Sequence, residues 1–178
     1  MDRIVVNIVG DSIVNGFGVK GNSFSKIESD KILFNNFGVN GETSSSVLDR
    51  IDNLLDCDLL VLFYGLNDFL NGMPVKYVVE NTEKILRKSK SKVLVCIPHM
   101  VDTNELRFIF NPGGINRKLE KLHDEYLKLN FSNFKILNFY KLVKDIELFD
   151  GIHPNEKTHE DMKKLFLEFL EVNYGFYK

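Results

Sequence analysis

Five short apolar runs recur along the chain, and most are separated by enough residues for a helix. Several runs are continuously apolar rather than alternating, which is typical of strands buried on both faces of a parallel sheet. The runs are RIVVNIV at 3–9, ILFNNF at 32–37, LLVLFY at 59–64, KVLVCI at 92–97 and FKILNF at 134–139. We therefore predict five parallel strands.

Amphipathic patterns lie between these runs and place apolar residues on one face of a helix. The positions that share a face are Val47, Ile51, Leu54 and Leu55; Val75, Val78, Val79, Thr82, Ile85 and Leu86; Ile115, Leu119, Leu122, Tyr126 and Leu129; and Met162, Leu165, Phe166, Phe169 and Leu170. Caps within 43–46, a first turn at Pro74 and a start just after Pro154 delimit three of these helices. A weaker pattern predicts a short helix around Phe24 and Ile27.

The repeated order of strand then helix predicts an α/β sandwich with a parallel sheet. Right-handed crossovers would place the helices on both faces of that sheet. A length of 178 residues fits a single domain over 1–178, and the chain contains no linker, internal repeat or low-complexity segment.

Polar and glycine residues follow the predicted strands. In open parallel sheets, ligands bind outside the carboxyl ends of the strands, so these residues are the first candidates for chemistry. They are Gly10-Asp11-Ser12, the stretch 38–43, Gly65-Leu66-Asn67-Asp68, Pro98-His99 and the stretch leading to Asp150. We expect Ser12 to stand at this edge of the sheet.

Composition excludes several classes of function. The chain has 23 basic and 25 acidic residues and a net charge of −2, which favours neither nucleic acid nor an anionic membrane as partner. Cys57 and Cys96 form no disulfide framework, and no Cys/His spacing typical of a metal site occurs. No apolar stretch reaches the roughly 20 residues that span a bilayer, and the N-terminal residues lack the pattern of a secretory leader. We expect a cytoplasmic protein without metal or cofactor.

The stretch DGIHP at 150–154 contains the first pair of residues suited to catalysis. Asp150 and His153 are three residues apart, and a tight loop can bring the carboxylate to one ring nitrogen. The other nitrogen would then be free to act as a base. The simpler alternative makes Asp150 a turn residue and His153 a surface residue.

Ser12 completes a possible catalytic set. A serine hydroxyl is a weak nucleophile that needs an adjacent base, and the base needs an orienting group. Attack on an ester carbonyl creates an oxyanion, which N–H donors stabilise. The backbone N–H groups of Ser12 and Gly41 and the side chain of Asn67 could supply these donors.

These stretches resemble the SGNH hydrolase family, also called GDSL esterases/lipases. Its four blocks occur in order as Gly10-Asp11-Ser12, Gly41, Gly65-Leu66-Asn67-Asp68 and Asp150-Gly151-Ile152-His153-Pro154, and the match covers essentially the whole chain. One departure is Ile13, where the family name has leucine, which keeps an aliphatic side chain. The G-x-S-x-G elbow of α/β-hydrolases is absent.

The resemblance implies a flavodoxin-like three-layer α/β/α sandwich with strand order 2-1-3-4-5. It implies Ser12 as nucleophile, His153 as base and Asp150 as its partner. It implies Gly41 and Asn67 as oxyanion donors. The expected function is that of a serine ester hydrolase, which cleaves small or short-acyl esters through an acyl-enzyme intermediate.

Two alternatives remain open on sequence. The same triad could transfer the acyl group to a sugar or peptide instead of water. A non-catalytic flavodoxin-like module could instead bind a flavin or nucleotide, although the first loop lacks a P-loop or G-x-G-x-x-G.

Several other residues carry weaker expectations. We expect His99 to be a polar loop residue rather than a substrate contact and His159 to be solvated. We expect Asp68 to support the turn at Asn67. The segment 99–114, which contains Met100, Leu106, Phe108, Ile109 and Phe110, fits either a lid or pocket wall or a packed helix.

Overall fold

The computed structural model describes residues 3–106 and 113–176, and a parallel sheet of five strands forms its centre. The strands are β1 (Ile4–Gly10), β2 (Ile32–Gly38), β3 (Leu59–Phe63), β4 (Lys92–Ile97) and β5 (Phe134–Asn138). Their order is β2-β1-β3-β4-β5, and every pair is parallel. The predicted strand order is confirmed.

Burial follows position in the sheet. All five residues of β3 are buried, and β4 is buried from Val93 to Ile97, because helices cover both faces of these strands. The edge strand β2 is only partly covered, and its Leu33 is 41% exposed. The continuously apolar runs therefore mark the central strands.

Seven helices connect or flank the strands in the described residues. They are α1 (Ser12–Asn15), α2 (Ser44–Arg50, continued by a 3-10 turn at Ile51–Leu54), α3 (Leu66–Leu70), α4 (Val75–Lys88), α5 (Gly113–Tyr126), α6 (Phe139–Leu142) and α7 (Glu156–Tyr174). The four long amphipathic patterns are confirmed as helices. The sequence did not predict α1, α3 or α6, each of which is too short to show a helical period.

The short helix predicted around Phe24 and Ile27 is wrong, because this segment forms a turn at 24–25 followed by irregular chain. Phe24 is fully buried and its ring packs against Phe63, Phe139 and Phe166 at centroid distances of 5.3, 5.4 and 5.8 Å. A tertiary aromatic cluster therefore orders the segment.

Neighbouring residues at the end of β3 show that the two faces of the sheet are covered by different helices. Phe63 joins the cluster that contains Phe166 of α7. The hydroxyl of Tyr64 lies 2.9 Å from that of Thr82 in α4, which lies 3.0 Å from the hydroxyl of Tyr126 in α5. Consecutive residues of a strand point to opposite faces, so helices lie on both sides of the sheet.

Side chains fix the starts of the helices that border the candidate site. The Thr43 hydroxyl accepts a hydrogen bond from the backbone N–H of Ser46 and caps α2. Asn155 caps α7 by accepting from Thr158 N–H, so this helix begins just after Pro154 as predicted. Pro74 stands at the cap of α4 rather than in its first turn. No helix among the described residues has both the length and the apolarity to cross a membrane.

Candidate active site

The serine at the carboxyl end of β1 is the first residue of α1. Asp11 caps this helix, because its Oδ1 accepts a hydrogen bond of 2.9 Å from the backbone N–H of Ile13. The cap turns the chain sharply after the strand and leaves Ser12 at the edge of the sheet. Ser12 is mostly buried, with 8% of its surface exposed.

The loop between α6 and α7 brings an imidazole to this serine. The Nε2 atom of His153 lies 2.9 Å from the Oγ atom of Ser12, across 141 positions of sequence. The ring's other nitrogen, Nδ1, lies 2.7 Å from Oδ2 of Asp150. A proton on Nδ1 donated to Asp150 leaves Nε2 free to accept from the serine hydroxyl.

Asp150 is held in place by its own loop. Its Oδ1 atom accepts hydrogen bonds from the backbone N–H groups of Ile152 at 3.0 Å and His153 at 2.8 Å. Burial alone would raise the pKa of Asp150, but hydrogen bonds from the His153 backbone and ring and from Ile152 outweigh it and lower the pKa. The carboxylate is therefore ionised near neutral pH and pairs with the imidazole.

Hydrogen bonds connect the segments that carry the predicted N–H donors. The backbone N–H of Val39 donates to the carbonyl of Gly10 at 2.8 Å, which places the loop after β2 beside the end of β1. Gly41 lies in this loop with φ +77, a conformation that favours glycine. The Nδ2 amide of Asn67, in α3, donates to the carbonyl of Glu42 at 3.0 Å. One amide hydrogen of Asn67 is thus used within the protein, and a second is available.

A partly buried ion pair, which was not predicted from the sequence, fixes the same loop. Glu42 is 5% exposed and receives a two-pronged contact from Arg50, with Nε to Oε1 at 2.6 Å and Nη2 to Oε2 at 2.5 Å. Arg50 Nη2 also donates to the carbonyl of Phe37 at 2.7 Å. The only sequence signal was an acidic residue next to Gly41 and a basic residue eight positions later.

The prediction for Asp68 is wrong, because its carboxylate contacts a different residue from the one expected. We expected its side chain to support the turn at Asn67, but the buried carboxylate instead accepts from the backbone N–H and hydroxyl of Ser44. The Ser44 hydroxyl also accepts from Nδ2 of Asn81 in α4, at 3.0 Å. Asp68 therefore connects α3 to the start of α2.

The sequence model of the GDSL-like Lipase/Acylhydrolase family matches residues 8–160. The chain belongs to this family. The match begins just before the turn that holds Ser12 and ends in the first turns of α7, so it includes every stretch described above. Membership supports an esterase- or lipase-type hydrolase.

Solved structures share the fold of this GDSL-family hydrolase at low sequence identity. The lipase/acylhydrolase from Enterococcus faecalis is 19% identical with a TM-score of 0.77, covering 95% of this chain and 96% of that one. The psychrotrophic esterase EstA from Pseudoalteromonas sp., solved with monoethylphosphonate as inhibitor, is 20% identical with a TM-score of 0.71, covering 94% and 97%. A carbohydrate acetylesterase family member from Sinorhizobium meliloti is 14% identical with a TM-score of 0.72, covering 97% and 99%. No curated protein matches the chain in sequence.

Two histidines of the GDSL-family hydrolase lie deeper than the sequence suggested. The expectation that His159 is solvated is wrong: it is 1% exposed, and its Nδ1 accepts from the backbone N–H of Phe24 at 3.2 Å. His99 is fully buried, and neither ring nitrogen has a hydrogen-bond partner among the described residues. Burial lowers the pKa of His99 to about 3 and that of His159 to about 4, so both rings are neutral at physiological pH. The turn segment around Phe24 covers the start of α7, which explains the error.

The segment after β4 of the GDSL-family hydrolase forms one wall of a cavity of about 690 Å³. Met100, Asp102 and Glu105 line it on one side, and the loop that carries Gly151 lines it on another. The backbone N–H of Asp102 donates to the carbonyl of Gly151 at 2.9 Å, so this wall is attached to the loop of Asp150 and His153. Residues 99–106 therefore agree with the alternative in which this segment forms a pocket wall. Phe108, Ile109 and Phe110 lie outside the described residues.

The described residues contain no cluster of side chains suited to bind a metal ion. Across residues 3–106 and 113–176, no group of three or more His, Cys, Asp or Glu side chains is placed to hold a metal ion.

Proposed function

We propose that the chain is a serine ester hydrolase that works through an acyl-enzyme intermediate, with Ser12 as nucleophile, His153 as general base and Asp150 as the group that orients it. The proposal rests on one continuous line of contacts. Ser12 Oγ lies 2.9 Å from His153 Nε2, and His153 Nδ1 lies 2.7 Å from Asp150 Oδ2. Both distances are within hydrogen-bonding range for transfer of a proton.

The first chemical step forms a bond between Ser12 Oγ and the carbonyl carbon of the ester. His153 Nε2 takes the hydroxyl proton during the attack, and the electron pair of the carbonyl moves onto its oxygen. Asp150 is ionised and stabilises the imidazolium that results.

The oxyanion needs donors that are already in place. We assign this role to the backbone N–H groups of Ser12 and Gly41 and to the second Nδ2 hydrogen of Asn67. Each preorganised donor contributes on the order of 3 kcal/mol to stabilising the transition state. Hydrogen bonds from Val39 to Gly10 and from Asn67 to Glu42 connect the segments that carry these donors.

The second half of the reaction returns the enzyme to its starting state. The bond between the carbonyl carbon and the alcohol oxygen breaks, and His153 Nε2 gives its proton to the leaving alcohol. His153 then takes a proton from water, whose oxygen attacks the acyl-serine. Collapse of the second intermediate releases the carboxylic acid and restores the Ser12 hydroxyl. A small or short-acyl ester is the proposed substrate.

Hydrolysis of p-nitrophenyl acetate and butyrate tests the proposal. Ser12→Ala should lower kcat/KM by about 10³-fold or more, because the nucleophile is lost. Ser132→Ala, at an exposed position before β5, is the matched control and should retain wild-type activity. Equal release of p-nitrophenol by wild type and Ser12→Ala would refute the assigned nucleophile.

A further inference from the structure

Two half-exposed aromatic rings pack beside the imidazole of His153 and next to each other. Phe17 is 44% exposed and Phe149 is 47% exposed, which is a large apolar surface to leave in water. The ring centroid of Phe17 lies 4.7 Å from that of His153, and the ring of Phe149 lies 5.5 Å away and stacks on it. The two phenylalanine rings are 6.1 Å apart. We refer to Phe17 and Phe149 as the aromatic pair.

Backbone hydrogen bonds connect each phenylalanine to one member of the candidate triad. Phe17 follows Ser12 by just over one turn, and its N–H donates to the carbonyl of Ser12 at 2.9 Å. Phe149 directly precedes Asp150, and its N–H donates to the carbonyl of His153 at 3.0 Å. These bonds hold the backbone from which each ring projects close to the serine and the histidine.

A glycine makes room for the second ring. A Cβ atom at Gly18 would lie 2.2 Å from both Cε1 and Cζ of Phe149, so the ring lies directly against the backbone at this position. Gly18 has φ +81, which also favours glycine. The absence of a side chain at Gly18 thus leaves the space that the ring of Phe149 fills.

The chemistry decides which part of an ester would meet these rings. The leaving oxygen must come within about 3 Å of His153 Nε2 to receive its proton. The first carbons of the alcohol then lie beside the imidazole, where the aromatic pair packs. The acyl chain extends from the other side of the carbonyl carbon.

We propose that Phe17 and Phe149 bind the alcohol part of the ester and select an apolar one, an alkyl or aryl alcohol. This inference rests on the proposed function, because it assumes that His153 protonates the leaving group. Neither ring carries a hydrogen-bond donor or acceptor for a polyhydroxylated alcohol. The aromatic pair is therefore a specificity determinant, distinct from the groups that transfer protons.

The expected size of the preference follows from partial burial. Burying one methylene fully raises a binding constant about fourfold, and placing it on a half-exposed surface raises that constant about twofold. Four added methylenes should therefore raise kcat/KM about 15-fold between the ethyl and hexyl esters of acetic acid.

The test compares acetate esters of ethanol, butan-1-ol, hexan-1-ol and glycerol. We compare kcat/KM values, because kcat/KM reports on the steps from free enzyme and ester to the acyl-enzyme. The alcohol leaves during these steps, so its contacts affect kcat/KM. We expect the hexyl-to-ethyl ratio to be about 15 in wild type and to fall to about two in the double variant Phe17→Ala/Phe149→Ala. The ratio cancels any general loss from a disturbed His153, since both esters need that residue. Val172→Ala, at a position 83% exposed near the end of α7, is the matched control.

A second series assigns the ring surface to the correct side of the ester. Ethyl acetate, butanoate and hexanoate differ only in the acyl chain, and their relative kcat/KM values should not change in the phenylalanine variants. Loss of the acyl preference in place of the alcohol preference would overturn the inference. So would a wild type without an alcohol preference, or one that prefers the glycerol ester to the butyl ester.

Measuring the binding of an alcohol tests the role of the aromatic pair without relying on ester hydrolysis. Saturation-transfer NMR with hexan-1-ol should detect binding to Ser12→Ala protein and a clear loss in Ser12→Ala/Phe149→Ala. Phe149→Leu should give an intermediate loss and replaces the alanine variant if that one does not fold. Equal hexan-1-ol binding to both proteins would overturn the inference, whereas ester turnover that persists without Ser12 would overturn the proposed function instead.

Discussion

The carboxylate of Asp68 accepts two hydrogen bonds from Ser44, one from its backbone N–H at 2.9 Å and one from its hydroxyl at 2.7 Å. Asp68 directly follows Asn67 in α3, and Ser44 begins α2 three positions after Gly41. This pair therefore links the two segments to which we assign oxyanion donors.

Asp68→Asn should disrupt that link. The variant amide can accept one of the two hydrogen bonds, but its NH₂ group would face a donor, so a buried polar group loses its partner. The free energy of unfolding should fall by about 1–3 kcal/mol, and kcat should fall by about tenfold as the donors lose alignment. Asp49→Asn, at an exposed position in α2, is the control. A fully stable and fully active Asp68→Asn protein would show that the link is dispensable.

Arg50→Met tests the partly buried ion pair with Glu42. Removing the guanidinium leaves the carboxylate of Glu42, whose side chain is 4% exposed, without its charge partner. The free energy of unfolding, measured with urea, should fall by about 2–3 kcal/mol.

The surface offers a matched comparison for this variant. Arg87 pairs with Glu83 four residues earlier on α4, with side chains 67% and 34% exposed. Arg87→Met should cost less than about 0.5 kcal/mol. Similar losses from the two arginine variants would contradict the distinction between the partly buried and exposed pairs.

Asp150→Asn tests the orientation of His153. An asparagine presents an NH₂ donor to Nδ1, which shifts the ring proton to Nε2 and leaves no acceptor for the Ser12 proton. We expect kcat/KM for p-nitrophenyl acetate to fall by about 10³–10⁴-fold, with a thermal unfolding curve that confirms a folded protein. A loss of less than about tenfold would mean that Asp150 does not set the tautomer.

The buried titratable groups predict how stability depends on pH. The folded protein holds His99 and His159 neutral down to pKa values of about 3 and 4, whereas the unfolded chain protonates both below its ordinary pKa of 6.5. Burial, with Glu42 and Asp68 nearby, raises the pKa of Asp11 to about 7 from 3.8, which has the opposite effect. Between about pH 4 and 6.5 the unfolded chain therefore binds two protons through the histidines and releases one through Asp11. These groups together make stability fall by about 1.4 kcal/mol for each unit that the pH drops.

His99→Met isolates one part of this dependence. The variant removes one buried imidazole, so lowering the pH from 6.5 to 5 should cost it about 2 kcal/mol less than it costs wild type. Urea unfolding at the two pH values gives the comparison, and His123→Gln, at a partly exposed position in α5, is the control. An unchanged pH dependence in His99→Met would mean that His99 can be protonated in the folded protein.

The strands and the long helices could be predicted because their apolar patterns are local. KVLVCI at 92–97 became β4 with the same bounds, since every residue after Lys92 is covered on both faces. Phe24 shows the limit of this approach. Its surroundings suggested a short helix, but contacts with residues more than 35 positions away order the segment as a turn and irregular chain.

The candidate site could be predicted in part. Ser12, Asp150 and His153 were identified because hydroxyl, carboxylate and imidazole have recognisable chemistry, and the structure brings them into contact. Glu42 and Arg50 were missed because a surface pair and a partly buried pair look the same in sequence. Burial of His159 likewise depends on the segment that covers it, which no helical pattern reveals.

Labelling with a fluorophosphonate, followed by mass spectrometry of the peptides, tests the role of Ser12 as nucleophile. A fluorophosphonate forms a covalent adduct with a serine only where a neighbouring base activates its hydroxyl. We expect one adduct on Ser12 in wild type, none in Ser12→Ala, and strongly slowed labelling in His153→Ala. Labelling of another residue in place of Ser12, or wild-type ester hydrolysis without any adduct on Ser12, would contradict that role.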